Sequence, residues 1–282
     1  MYLLKAVGSD PEFFLEDGKG KFIPACGLIG GSKEEPQFFN KDGFSAVLED
    51  NVMVEFNTKP ARNRYEFSQH VYLAMNHAIS IAEQKGLLAS ITPSAVFSPE
   101  FLCSSQAQEI GCLGDNNAWT GEPNGRLTAG DLGLVRVAGG HLHISYEFNG
   151  EMPDKQDREK LIRYLDLGLG VPFTWMDRDD TRRRFYGKAG AYRAKDYGVE
   201  YRTLSNYWLR DERLMDFVFD QIEWTFKVLN MGMVMEPAIE RMVQQAINLP
   251  DRGVVEELCS EFNIKIPDLG GAHPITPLGQ RR

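Results

Sequence analysis

The sequence is poor in cysteine, and no two of its cysteines have the CxxC spacing of a redox or zinc pair. The four stand at positions 26, 103, 112 and 259. Such dispersed residues favour reduced thiols over disulfides or structural zinc. The sequence also lacks an N-terminal apolar stretch long enough for a signal peptide. It has no run near the roughly 20 apolar residues of a membrane span. These absences predict a cytoplasmic protein with no membrane partner.

Basic residues are also scarce relative to acidic ones. The 31 Lys and Arg residues against 40 Asp and Glu residues give a formal charge of -9. This balance argues against direct nucleic-acid binding, which needs a basic surface. The negative charge is compatible with a nucleotide that is bound through metal ions. No Walker loop, GxGxxG fingerprint or GxSxG elbow is present, which argues against P-loop and Rossmann nucleotide sites.

The order of apolar patterns predicts an α+β fold. Strands are predicted at 2–8, 12–16, 45–60, 91–98 and 135–148, helices at 63–86, 157–169 and from 210 onward, and loops at 26–46, 103–133 and 175–193. Asn63 and Glu66 resemble a capping box at the start of the first helix. We therefore expect a single domain over 1–282, with a mostly antiparallel sheet, flanking helices and a helical part over 209–282.

A short strand, GGHLHISY at 139–146, carries two of the five histidines of the chain. Side chains in a strand alternate between faces, so His141 and His143 are expected on the same face. The two preceding glycines suggest that a ligand or another backbone comes close. An HxH strand is also a zinc pattern, so a metal-dependent hydrolase that uses this strand is an open alternative.

Carboxylates recur inside otherwise apolar strand sequence. They are Asp10 and Glu12 in GSDPEFFL, Glu55 in VMVEFNT and Glu200 in YGVEYRTL. One such residue alone is more often a solvent-facing side chain. If one sheet holds all four beside the HxH strand, they cannot all stay ionised without a cation. Because hard cations such as Mg²⁺ prefer oxygen ligands, this face is predicted to bind divalent metal.

Arginines are concentrated between positions 178 and 193. They are Arg178, Arg182, Arg183, Arg184 and Arg193. A solvated loop is the simple explanation. In an acidic chain, however, the cluster precedes a glycine-containing stretch at 187–190, and guanidinium groups bind phosphate oxygens bidentately. Arg184, Lys188 and Arg193 are therefore candidate phosphate contacts. Arg202 is a further candidate, because it shares a strand face with Glu200.

Three segments resemble glutamine synthetase motifs in the same order: GSDPEFF, GGHLHIS and YGVEYRTLSNYWL. The set is most similar to the phage-type COOH–NH2 ligases (type 2), a branch of the glutamine synthetase-like amidoligases, over most of residues 7–209. The resemblance implies a glutamine synthetase-like catalytic domain with a curved antiparallel sheet. It also implies an ATP-dependent ligase that forms an amide through an acyl phosphate and releases ADP and phosphate. Nothing precedes the first motif, so we expect the N-terminal β-grasp domain of the synthetases to be missing.

The resemblance also assigns roles to individual residues. The implied ligands for two to three Mg²⁺ or Mn²⁺ ions are Asp10, Glu12, Glu49, Glu55, His141 and Glu200. The implied catalytic residues are Arg193, Arg202, His143 and Glu55, and the implied ATP contacts are Arg202, Arg193 and His143. Lys188 and Arg184 join these ATP contacts as candidates from the charge pattern alone. Glu49 and Asp50 both flank an expected turn at Asn51, so which of them is a ligand stays open.

The substrates are expected to be a carboxylate and an amine, either small molecules or peptides. The loops at 26–46 and 103–130 are candidate covers of the site, with Asp115, Asn116 and Trp119 as candidate substrate contacts. Besides the zinc hydrolase, two alternatives stay open: phosphate transfer to a guanidino group, and a binding protein without chemistry. Homo-oligomer formation is also left open.

Overall fold

The computed structural model describes residues 1–109, 114–125 and 127–270. The strands are Tyr2–Ser9 (β1), Glu12–Glu16 (β2), Phe22–Ile23 (β3), Gln37–Phe38 (β4), Ala46–Asp50 (β5), Met53–Asn57 (β6), Leu88–Ser90 (β7), Ser94–Val96 (β8), Asn116–Asn117 (β9), Val135–Val137 (β10), Leu142–Phe148 (β11), Ala191–Lys195 (β12) and Gly198–Tyr201 (β13). The α-helices are Arg64–Gln84 (α1), Ser105–Gln108 (α2), Ala129–Leu132 (α3), Lys155–Leu165 (α4), Val171–Met176 (α5), Asp180–Phe185 (α6), Glu212–Asn230 (α7), Pro237–Asn248 (α8) and Arg252–Glu261 (α9). Short 3₁₀ turns lie at Pro99–Leu102 and Asn206–Arg210, and a π-helical turn at Asp166–Gly170.

The strands form two main sheets. One has the order β1-β11-β13-β12-β9, and the other has the order β3-β2-β6-β5-β4 with β7 beside β2. A separate ribbon pairs β8 with β10. All these pairings, within the described part of the chain, are antiparallel. The predicted α+β fold with antiparallel sheets and flanking helices is therefore confirmed.

The site strands belong to two sheets, so the condition that one sheet holds all four carboxylates is not met. The ladder is interrupted at Asp10 and Pro11, where proline has no N–H to donate. The chain therefore leaves the first sheet after β1 and enters the second as β2. Backbone bonds still join the two sheets there: the amide of Glu12 donates to the carbonyl of Gly139 at 3.0 Å, and that of Thr58 donates to Ser9 at 2.9 Å. The two sheets thus meet along one seam.

Helices α1 and α7 pack against each other and against β1. The side chain of Asn63 accepts a hydrogen bond from the amide of Glu66, so the predicted cap is present. The buried ring of Phe67 lies 5.8 Å from the rings of both Trp208 and Phe219. Burial of a side chain of this size contributes about 1.5–3 kcal/mol. This packing holds β1, the strand at the edge of the first sheet, against the two helices.

Several local predictions were wrong, including that of the loop at 103–133, which contains α2, β9 and α3. The stretch 175–193 was predicted as a loop, but it contains the end of α5, all of α6 and the start of β12. Helix α6 begins because the side chain of Asp179 accepts from the amide of Thr181. The stretch 135–148 was predicted as one strand, but it divides into β10 and β11 at the two glycines.

The helical part predicted after residue 209 is present as α7, α8 and α9. Residues 271–282 of the tail lie outside the described part, and the single-domain boundary stays a prediction. None of the helices in the described ranges combines the length and the apolar character that a bilayer crossing requires.

Candidate active site

Strand register brings the site residues together in two rows. In the first sheet, His143 lies opposite Glu200, and Glu200 lies opposite Arg193. In the second sheet, Glu12 lies opposite Glu55. Residues directly opposite each other in antiparallel strands share a face. Because the two sheets join at the seam, both rows face one region.

The two glycines before the HxH strand make room for a close approach. A Cβ atom on Gly139 would lie 2.3 Å from the His141 ring, and one on Gly140 would lie 2.2 Å from the carbonyl oxygen of Ser205. The amide of Gly139 donates to Glu12 Oε2 at 2.7 Å. The prediction that another backbone comes close here is confirmed. The glycines allow the imidazole of His141 and the carboxylate of Glu12 to share one cavity.

A first cluster of possible metal ligands consists of Asp10, His141 and Glu200, which we call the imidazole cluster. One ligand atom of each lies within 4.8 Å of the others. His141 Nδ1 is 3.6 Å from Asp10 Oδ1 and 3.9 Å from Glu200 Oε1. His143 Nε2 is 3.0 Å from Asp10 Oδ2. The two imidazoles therefore flank one carboxylate, as expected for side chains on one strand face.

A second cluster consists of Glu12, Asp50 and Glu55, which we call the carboxylate cluster. Its ligand atoms also lie within 4.8 Å of one another. Glu12 and Glu55 are buried and Asp50 is partly buried. Lys33 approaches this cluster from the loop at 26–46, with its Nζ atom 2.7 Å from Asp50 Oδ2.

Cationic side chains compensate the imidazole cluster. Arg202 Nη1 donates to Glu200 Oε1, and Lys195 Nζ lies 2.7 Å from Glu200 Oε2. Burial and the charge of Asp10 would raise the pKa of Glu200, but Arg202 and the two imidazoles outweigh them and lower this pKa to about 2. Burial would likewise raise the pKa of Asp10, but His143 and His141 hold it well below its ordinary range.

The carboxylate cluster lacks comparable compensation. Burial, followed by the negative charge of Asp50, raises the pKa of Glu12 to about 7. Burial and then Asp10 raise the pKa of Glu55 well above its ordinary value, and Lys33 only partly opposes this. A divalent cation would favour the ionised form of both glutamates. The oxygen donors of this cluster therefore fit a hard ion such as Mg²⁺ or Mn²⁺.

The two clusters line one cavity of about 240 Å³. Its cationic lining residues are Lys33, Arg136, Arg182, Arg193, Lys195 and Arg202. A second cavity, of about 580 Å³, shares Asp10, Lys33 and Glu55 with the first. We call the first the polar cavity and the second the aromatic cavity, because Phe38, Phe44, Tyr197 and His143 line the latter. The metal-ligand candidates Asp10 and Glu55 therefore border both cavities.

The geometry distinguishes Glu49 from Asp50. The carboxylate of Glu49 accepts hydrogen bonds from the amides of Gly27, Ile29 and Gly30 at 2.7–2.9 Å and from the side chain of Gln106 at 2.8 Å. It anchors the loop and does not line the polar cavity, whereas Asp50 does. The reason is register: Leu48 lies opposite Glu55, so Asp50, two residues on, shares the face of Glu55.

Other predicted site residues divide between the cavity and its surroundings. Asp115 lines the polar cavity, where its Oδ1 atom is 2.6 Å from Arg202 Nε. Trp119 instead donates its indole N–H to the buried Asp166 at 2.7 Å. Asn116 belongs to β9 and, like Trp119, lines neither cavity.

The predicted arginine contacts divide in the same way. Arg193 lines the polar cavity, whereas Arg184 and Lys188 are exposed and line neither cavity. Arg182 lines the polar cavity and is only 3% exposed. Its guanidinium donates to the carbonyls of Thr203 and Arg202 at 2.9 and 3.1 Å. Burial lowers the pKa of Arg182, to about 10.

Sequence reasoning missed Lys33, Lys195 and Tyr197, and it named Arg182 only as a member of the arginine cluster. A signal existed for Lys195, because it stands two residues after Arg193 on the same strand and so shares its face. Tyr197, which contacts the ring of His143, lies in the turn between β12 and β13, where no period applies. The expectation that the loop at 103–130 covers the site falls partly on residues 110–113 and 126, outside the described residues.

Comparison with known proteins assigns the chain to a family. A model of the family described as phage phiEco32-like COOH·NH2 ligase-type 2 matches residues 76–246, more than half of the chain. No curated protein matches the sequence.

Several solved structures resemble the chain at low identity. Apo GmaS without ligand has 13% identity and a TM-score of 0.41, and the alignment covers 92% of this chain and 69% of that one. A GmaS/ADP complex has 12% identity and a TM-score of 0.40, with 93% and 67% covered. A glutamine synthase homologue has 12% identity and a TM-score of 0.38, with 93% and 64% covered. The chain spans about two thirds of the length of these proteins.

Proposed function

Because the chain belongs to the phage phiEco32-like COOH·NH2 ligase-type 2 family, we propose that it joins a carboxylate to an amine at the expense of ATP. The amide would form through an acyl phosphate, with release of ADP and phosphate. The observation that carries this proposal is the arrangement of two metal-capable clusters around one cavity, with arginines on the same wall.

Divalent ions fit the donors of both clusters. Asp10, His141 and Glu200 would hold one ion, and Glu12, Asp50 and Glu55 would hold another. Asp10 Oδ1 is buried and has no hydrogen-bond partner among the described residues, so it has an unused lone pair for a cation. When bound, Mg²⁺ or Mn²⁺ would neutralise phosphate charge.

The aromatic cavity suits the base of the nucleotide. Phe38, Phe44 and Tyr197 are 56%, 52% and 38% exposed, and all three line this cavity. Large exposed aromatic side chains around one cavity indicate a ligand with a planar apolar part. The cavity opens at Asp10 and Glu55 toward the metal-ligand candidates. A base in the aromatic cavity would therefore direct its phosphates toward the clusters.

The phosphate-binding roles follow from charge and position. Arg193 and Arg202 line the polar cavity, where their guanidinium groups would stabilise charge on the phosphoryl oxygens during transfer. His143, whose Nε2 atom is 3.0 Å from Asp10 Oδ2, lines the aromatic cavity and would contact the phosphates. Arg182 holds the carbonyls of Arg202 and Thr203 and so positions the backbone from which the Arg202 side chain extends.

The polar cavity would receive the acid substrate. Its volume of about 240 Å³ suits a small carboxylate or the end of a peptide. Held beside the metal ions, the carboxylate oxygen would be in position to attack the terminal phosphate, and an amine would then attack the resulting acyl group. Phosphorylation by ATP would activate the carboxylate, which is otherwise a poor electrophile. The residues of the cavity would orient the reacting groups and exclude water. Cytoplasmic location and homo-oligomer formation stay predictions.

Calorimetric titration of ATP tests the proposal. With Mg²⁺ present, we expect saturable binding that EDTA abolishes, because the clusters need a cation to accept a triphosphate. Metal-dependent binding would be followed by a screen of acid and amine pairs for ADP release. Binding that persists in EDTA, or no binding in folded protein, would contradict the role of the clusters.

A zinc hydrolase is the second candidate. It is favoured by one observation: His141 and His143 both lie beside Asp10, and two imidazoles with a carboxylate form a known catalytic zinc set. Metal analysis of the purified protein separates the two functions. Tightly held zinc supports the hydrolase, whereas weakly held Mg²⁺ or Mn²⁺ supports the ligase.

A further inference from the structure

Lys33 lies where the two cavities meet. It lines both the polar and the aromatic cavity, a property it shares with Asp10 and Glu55. Its Nζ atom is 2.7 Å from Asp50 Oδ2, and its side chain is 40% exposed while that of Asp50 is 14% exposed. The ammonium group is therefore at the mouth of the carboxylate cluster and has access to both cavities.

The loop that carries Lys33 is anchored on one side and walls a cavity on the other. Glu49 fixes the amides of Gly27, Ile29 and Gly30, just before Lys33. Phe38 and Phe44, after Lys33, line the aromatic cavity. The backbone of Lys33 is thus held near a fixed point, whereas its flexible four-carbon stem would allow the ammonium group to exchange Asp50 for another anionic partner.

A metal ion and Lys33 would share the same carboxylate. Asp50 belongs to the carboxylate cluster, so its carboxylate would interact with a metal ion bound there. The attraction between Asp50 and the ammonium group would then weaken, because the ion carries twice the charge of the lysine. A phosphate close to this ion would offer Lys33 new anionic oxygens at the same cavity mouth.

We propose that Lys33 is a phosphate-binding residue that leaves Asp50 when the metal binds and then contacts the phosphates of the nucleotide. This proposal rests on the proposed function, because it assumes a metal-bound nucleotide in the joined cavities. It assigns to the loop at 26–46 a direct contact with the ligand in addition to its role as a wall.

Lys33→Met tests the proposal, with Lys41→Met as the matched control. Lys41 is exposed on the same loop and lines neither cavity. ATP and adenosine are titrated calorimetrically into each protein in the presence of Mg²⁺. We expect Lys33→Met to weaken ATP binding about tenfold or more, as for loss of a charge-assisted contact. Its adenosine affinity, and both affinities of Lys41→Met, should equal those of the wild type.

A titration with Mn²⁺ alone tests the competition for Asp50. Lys33→Met should bind Mn²⁺ several-fold more tightly than the wild type, because the ammonium group no longer competes, while Lys41→Met should be unchanged. Unaltered ATP affinity in Lys33→Met, or equal losses of ATP and adenosine affinity, would overturn the phosphate role. Unchanged or weaker Mn²⁺ binding would overturn the competition.

Different results would contradict the proposed function and the role of Lys33. If the wild type binds no ATP with Mg²⁺, the proposed function fails and the phosphate role fails with it. If the wild type binds ATP in a metal-dependent way and Lys33→Met binds it equally well, only the role of Lys33 fails.

Discussion

The imidazole cluster and the carboxylate cluster lie in one cavity, but they differ in how their charge is compensated. Glu200 in the former is 1% exposed, yet Arg202 and Lys195 keep it ionised. Glu12 in the latter is 6% exposed, and burial together with Asp50 raises its pKa to about 7. The former cluster is stabilised by cations of the protein itself, whereas the latter requires an external one.

The difference suggests a division of work. An ion in the imidazole cluster would have to compete with Arg202, whose Nη1 atom also lies 3.2 Å from His141 Nδ1. An ion in the carboxylate cluster would compete with Lys33 for one of three carboxylates. We therefore expect the carboxylate cluster to bind a divalent ion more tightly in the absence of nucleotide. The four predictions that follow test this contrast.

The largest effect is expected from Glu200→Gln. This change leaves Arg202 and Lys195 buried or partly buried without their common carboxylate. Removal of one partner of a buried ion pair costs about 3–5 kcal/mol, so the free energy of unfolding should fall by about that amount in EDTA. Urea denaturation measures it. Glu55→Gln is the matched control, because it removes an uncompensated carboxylate and should not destabilise the protein comparably. Equal losses in both variants would remove the contrast between the clusters.

The next effect is a pH dependence caused by Glu12. Its pKa rises from an ordinary 4.5 to about 7 on folding, so the folded state holds the proton more tightly. The resulting stability is fully present below pH 4.5 and is lost as the pH rises through about 7, which amounts to about 3 kcal/mol. Glu12→Gln should show a smaller loss than the wild type, and what remains comes from Glu55, whose pKa is also raised. Urea denaturation in EDTA at pH 5 and pH 8 compares the two proteins.

The result for Glu12 has a clear contrary outcome. A wild type that is equally stable at pH 5 and pH 8 without metal would show that the carboxylate cluster is already compensated. Addition of Mn²⁺ at pH 8 should restore stability to the wild type, because the ion binds the ionised carboxylates.

A smaller effect separates Glu49 from Asp50. Asp50→Asn removes a ligand candidate. Loss of a residue that only orients a ligand lowers metal affinity about 10–100-fold, so the Mn²⁺ affinity of Asp50→Asn should fall by at least that factor. Glu49→Gln should leave Mn²⁺ affinity unchanged and reduce stability by about 1–3 kcal/mol, because it disturbs hydrogen bonds to a charged group. Calorimetry and thermal unfolding measure the two quantities. Loss of Mn²⁺ binding in Glu49→Gln would reverse the assignment.

Much of the candidate site could be predicted from the sequence. Glu55 and Glu200 stand in apolar strand sequence, where a charged side chain is expected to be buried only if it has a partner such as a cation. The spacing of His141 and His143 indicated a shared face, and both do contact Asp10. These inferences depend only on the two-residue period of a strand.

The rest depends on structure that spacing does not determine. Asp50 was not separable from Glu49 until the register of the β5–β6 hairpin was known. Recognition of a two-residue turn at Asn51 and Val52 would have fixed that register, because Asn51 has a positive φ of 58°. The arginine cluster was predicted as a loop, which does not separate its members, whereas helix α6 buries Arg182 and leaves Arg184 exposed. Lys33 stands in a loop, where no period identifies the inward side chains.

The most direct test of the central claim is a count of Mn²⁺ ions bound by the wild type, Glu55→Gln and Glu200→Gln. Calorimetric or paramagnetic titration in the presence of ATP provides the count. The two clusters predict one ion each. The wild type should therefore bind two ions, Glu55→Gln should lose the ion of the carboxylate cluster, and Glu200→Gln should lose that of the imidazole cluster. A wild type that binds no Mn²⁺, or variants that retain both ions, would contradict the assignment of these residues as metal ligands.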